Sequence, residues 1–81
     1  MSRWHEFATV LDAWESGVER ERLTPAEVFV SRETRSGVRY NVHVTAFLGD
    51  AEISGFGSSP SLETAARDAV AKFAQNRARV S

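Results

Sequence analysis

Residues 38–47 alternate apolar and polar side chains without a break: Val38, Tyr40, Val42, Val44 and Ala46 against Arg39, Asn41, His43, Thr45 and Phe47. Period two over that length predicts a strand with one buried face. Shorter segments on either side carry the same signal. In 27–33, Val28 and Val30 oppose Phe29 and Ser31; in 51–56, Ala51, Ile53 and Gly55 oppose Glu52, Ser54 and Phe56. Arg35-Ser36-Gly37 and Leu48-Gly49-Asp50 supply the turns between them.

Outside this block the period lengthens to that of a helix. Trp4, Phe7, Ala8, Leu11, Trp14 and Val18 share one stripe, with Glu6, Asp12, Glu15 and Glu19 on or beside the other face. The spacing predicts a helix over 3–16, with Gly17 as its C-terminal stop and Thr24-Pro25 closing off helical backbone. After the third strand, Gly55-Phe56-Gly57 reads as a glycine turn into a second helix over 60–76. Leu62, Ala65, Ala66, Ala69, Val70 and Phe73 form its apolar stripe, whose alanine centre lets the helix axis lie close to a sheet. Ser59 with Pro60, or Ser61, caps its start. Glu63 before Arg67 and Asp68 before Lys72 line its outer face. Residues 76–81 are expected to fray.

The expected fold is therefore α+β, in the order α-β-β-β-α: a three-stranded antiparallel sheet with two helices packed on one face, the other face in water. Eighty-one residues make one domain, residues 1–81, with a thin stability margin. The chain has no cysteine, which suits a reducing compartment and excludes disulfides and thiolate metal sites. Arg3, His5 and Glu6 interrupt any secretory core near the start, and no apolar run reaches membrane-spanning length, so a cytoplasmic protein without membrane contact is expected. Ten basic against eleven acidic side chains leave no global field to recruit a polyanion.

The segments Tyr40-Asn41-Val42-His43-Val44, Gly55-Phe56-Gly57 and 61–73, in this element order, resemble the double-stranded RNA-binding domain. The likeness covers about residues 4–75. It implies the dsRBD-like fold and ancestral binding of an A-form duplex by shape. The family's helix opens Ser-Lys-Lys-x-Ala-Lys; aligned on Ser61 and Ala65, its three lysines become Leu62, Glu63 and Ala66 here. Its Gly-Pro-x-His loop reads Gly37-Val38-Arg39, and the first helix presents mainly acids. Without those cations the ordinary duplex-RNA function is not expected to carry over.

Catalysis has little to build on, because neither His5 nor His43 has a serine or threonine evidently beside it. No His or Asp/Glu cluster has metal-ligand spacing, and Gly55-Phe56-Gly57-Ser58-Ser59 lacks the lysine of a P-loop. No enzyme activity, cofactor or metal is expected. The informative surface is the outer sheet face, where the alternation puts Phe29, Arg39, His43, Phe47 and Phe56. Three phenylalanines on a solvated face mark a partner-binding or self-association surface. The leading expectation is a small non-enzymatic interaction module, with a protein partner or as a homodimer. Small solitary domains of this kind include phage-encoded inhibitors of nucleoprotein machines, anti-CRISPR proteins among them, so an inhibitor or adaptor on a larger complex is the role expected. The alternative is weak nucleic-acid binding through a basic hairpin tip, Arg32, Arg35 and Arg39, with Arg77 and Arg79. The acidic flank of the first helix, closed by Glu21, is too weak to mimic a polyanion, since residues 1–24 hold five acids and three bases.

Overall fold

In the computed structural model, which describes residues 3–80 and side chains from His5 onward, the order is α1 (Arg3–Arg20), β1 (Thr24–Glu33), β2 (Arg39–Leu48), β3 (Ala51–Ser59) and α2 (Leu62–Arg79). The strands form one antiparallel sheet in the order β1-β2-β3. This is the expected α-β-β-β-α arrangement. Tyr40, Val42, Val44 and Ala46 of β2 are all buried on the helix side, as the alternation requires. The register places Val30, Val42 and Gly57 in one inward row, and Val28, Val44 and Gly55 in the next. Val38 lies outside the strand and is exposed.

Helix α2 covers β3 and β2, burying Leu62, Ala65, Ala66, Ala69 and Phe73. Ser61 caps it by accepting from the Thr64 amide at 3.3 Å, while Ser59 accepts from the Ser61 amide at 3.1 Å. Gly55 and Gly57 are strand residues, not a turn, and β3 runs on to Ser59. Their role is clearance. A Cβ at Gly55 would collide with the Ala69 carbonyl and the Phe73 amide, and one at Gly57 with the Ala65 carbonyl and the Ala69 amide. Glycine facing alanine brings helix backbone directly onto strand backbone.

Helix α1 packs on α2 and along β1. Trp14 meets Phe73 edge to face with ring centroids 5.4 Å apart, and Phe7, Val18 and Leu23 complete the core. Leu11 is only half-buried and Ala8 is exposed; Trp4, expected in the same stripe, lies outside the described side chains. Gly17 does not end this helix, which continues to Arg20. The stop is Arg22, whose φ of 64° is left-handed. Its amide bonds the Glu19 carbonyl at 3.0 Å and that of Leu23 bonds Val18 at 2.9 Å, the double bond of a Schellman motif.

At the other end, α2 holds to Arg79 where fraying was expected. Asn76 Nδ2 donates to the Ser54 carbonyl at 2.6 Å, and Arg77 Nη1 to that of Val80 at 3.0 Å. Ser81 lies outside the described residues. No helix among the described residues is long and apolar enough to cross a membrane.

Candidate interaction surface

The sheet face turned away from the helices is built by the odd-numbered residues of β2, the even-numbered residues of β3 and, in β1, the odd-numbered residues from Glu27 onward, with Thr24 joining them before the irregularity between Pro25 and Glu27. Cross-strand register sets Phe29 beside His43 and His43 beside Phe56, so one row crosses all three strands. Phe29 and Phe56 are each 55% exposed, and Phe56 meets the His43 ring edge to face at 6.3 Å between centroids. Neither phenylalanine turns into the core. Phe47 lies two pairs further along β2, 36% exposed, flanked by Thr24 and Glu52.

Between the aromatic row and Phe47 sits Thr45, opposite Glu27 and Ser54. It is buried although it points away from the helices. Toward the hairpin tip the face becomes polar. Asn41 Nδ2 donates to Ser31 Oγ at 3.3 Å and Arg39 Nη1 to Ser58 Oγ at 3.0 Å. The surface thus has aromatic ground in its middle and hydrogen-bonding side chains along one margin. The outward residues Phe29, Arg39, His43, Phe47 and Phe56, singled out from the alternation, share this face.

The arginines of the alternative site are distributed differently. Arg32 belongs to the inward row, with its guanidinium carbon 5.9 Å from the Tyr40 ring centroid, whereas Arg39 faces outward. Arg35 lies in the connection between β1 and β2, in a concavity bordered by Glu33, Val38 and Pro60. Arg77 and Arg79 sit at the far end of α2, an 18-residue helix about 27 Å long at 1.5 Å per residue. Arg77 Nε is also engaged, donating to Glu21 Oε1 at 3.0 Å. Sequence proximity suggested a basic tip; strand parity divides two of its three members between opposite faces.

His43 stands between two phenylalanines, and among the described residues no group of His, Asp and Glu has the geometry to hold a metal ion. A second concavity lies between the helices, lined by Trp14, Val18, Leu23, Val70, Phe73 and Arg77. It is mainly apolar, with the Glu21–Arg77 pair at its rim. No known protein-family model, curated protein or solved structure matches this chain.

Proposed function

We propose that this chain is a non-enzymatic protein-interaction module whose outer sheet face receives the partner, acting as an inhibitor or adaptor does by occupying a surface on a larger assembly. One observation carries the reading: a face free of helices holds Phe29 and Phe56 in one row with His43, each phenylalanine more than half exposed. Aromatic rings bordered by serine, asparagine and arginine are the composition of docking surfaces, an apolar centre with a polar margin.

In this reading the chain has a double-stranded RNA-binding-domain-like order of elements without that family's cationic binding positions. Of the positions aligned with the family's lysines, Leu62 and Ala66 are buried in the core and Glu63 is paired with Arg67 at 2.6 Å. The nucleic-acid alternative asks for one cationic surface. The separation of Arg35 and Arg39 from Arg77 and Arg79 by the length of α2 favours the aromatic face instead.

Phe47→Asp tests the reading, because the side chain is partly exposed and its loss should leave the fold intact. The variant is expected to lose the proteins that the wild type captures from a lysate of its native host, with an unchanged circular dichroism spectrum. Undiminished capture by both Phe47→Asp and Phe56→Asp overturns it.

A further inference from the structure

The free edge of β1 has a chemistry of its own. Among the described residues no strand pairs with it, so alternate backbone amides and carbonyls face outward along its length. Proteins usually protect such an edge with lysine, proline, a bulge or a cover. Here Pro25 and the irregularity between Pro25 and Glu27 protect only the start of the strand. From Val28 to Ser31 there is no such device, and Val28 is 42% exposed on the helix side while Phe29 is 55% exposed on the other. The opposite edge, β3, is unlike it: Gly55 and Gly57 leave its middle without inward side chains, and α2 lies directly on that stretch.

We infer that the edge of β1 pairs antiparallel with β1 of a second copy, joining two sheets into one of six strands. The two-fold axis then stands perpendicular to the sheet, and side chains directly opposite must share a face. That leaves few registers, and charge chooses among them. Centring on Val30 sets Glu27 against Glu33 of the second copy, twice, which repels. Centring on Val28 sets Glu27 against Phe29, covering a carboxylate with an aromatic ring. Centring on Phe29 matches Phe29 with itself, Val28 with Val30 and Glu27 with Ser31, with no charge on charge. The chain is self-complementary in that register. It also doubles the aromatic row, running Phe56, His43, Phe29 and then the same three residues of the second copy in reverse.

This inference concerns an edge and does not rest on the face proposed above for a different partner. A pairing this short sits at the small end of specific interfaces, so half-association on the order of 10–100 µM is expected. Light scattering across that range should show the mass rising from 9.0 kDa toward twice that value. Val28→Lys, on the face away from the aromatic row, should raise the half-association concentration at least tenfold. Because the chain has no cysteine, register can be read by cross-linking. Opposed residues have Cα atoms about 4.5–5.5 Å apart, within disulfide range, so Phe29→Cys should give a covalent dimer under mild oxidation. Ser31→Cys places its two sulfurs on residues about 13 Å out of register and should cross-link at least tenfold less. A monomer mass on the order of 100 µM, a dimer indifferent to Val28→Lys, or equal cross-linking at the two positions overturns the inference. Any of these leaves the outer-face proposal standing, since Phe56→Asp lies two strands away and tests that separately.

Discussion

At Arg22 the chain holds a left-handed backbone that glycine adopts at no steric cost and a Cβ-bearing residue resists. The surroundings impose it. Leu23 and Val18, both buried, must meet where α1 turns into β1, and the two backbone bonds of the motif fix the turn between them. Arg22→Gly keeps those bonds and relieves the strain, so a gain of about 1 kcal/mol is expected, or about 4–8 °C in thermal midpoint. A lower midpoint would contradict this. A second residue-scale prediction concerns Glu6, on α1, and Glu63, in the first turn of α2. The Glu6 carboxyl is held above its ordinary value of 4.5 first by a hydrogen bond to Glu63 and then by the charge of that neighbour. Glu63 is held below 4.5, first by Arg67 and then by its hydrogen bond to Glu6. For Glu6 the stabilising contribution of the shared proton is complete below 4.5 and is lost as pH rises through the raised value. For Glu63 the sign is opposite: its contribution is present above 4.5 and lost as pH falls through the lowered value. Glu6→Gln should therefore raise the midpoint at pH above the raised value, where two carboxylates stand side by side. The difference should vanish as pH falls below 4.5. A difference that grows on acidification would refute the assignment.

At the scale of elements, one substitution should have opposite signs in two places. Gly17 lies inside α1, where an added Cβ comes no nearer than 3.7 Å to the flexible end of Arg20. Gly17→Ala should stabilise by about 0.5–1 kcal/mol, because alanine gives up less backbone freedom in a helix. Gly57→Ala should destabilise by at least about 2 kcal/mol, since its methyl would meet helix backbone that cannot rotate aside. Parallel thermal melts check the pair, and equal shifts would mean that α2 does not lie on β3 as closely as described. The same glycines show what a lone sequence conceals. Gly17 and Gly55-Phe56-Gly57 carry the ordinary signatures of a helix stop and a turn, yet one sits within a helix and the others within a strand. Local glycine chemistry is the same in both settings; what decides is the helix that arrives from elsewhere in the chain. By contrast, the alternation from Tyr40 to Phe47 and the stripe from Leu62 to Phe73 were legible because each element buries its own periodic face.

Across the whole molecule, the helices lie on one side and the outward phenylalanines on the other, in a body of 39 × 25 × 17 Å. The outer face was legible in outline, since strand parity alone puts Phe29, His43, Phe47 and Phe56 together once the inner face is known. The division of the arginines follows from the same parity, with Arg32 on the side of Val28 and Val30 and Arg39 on the other, although their closeness in sequence suggests one basic tip. With a net charge of −1 and its cations dispersed, the chain should elute from a phosphate-bearing matrix with no salt-dependent delay. Retention that collapses steeply as salt rises would restore the nucleic-acid alternative. The most direct measurement is the affinity of the captured host partner for wild type, Phe56→Asp and Arg35→Glu/Arg39→Glu, taken at low and high salt. The outer-face account predicts a loss of about 30-fold or more for Phe56→Asp, as at an interface hot spot, with little change for the arginine pair. Wild-type affinity in Phe56→Asp together with loss of binding in the arginine pair would contradict it.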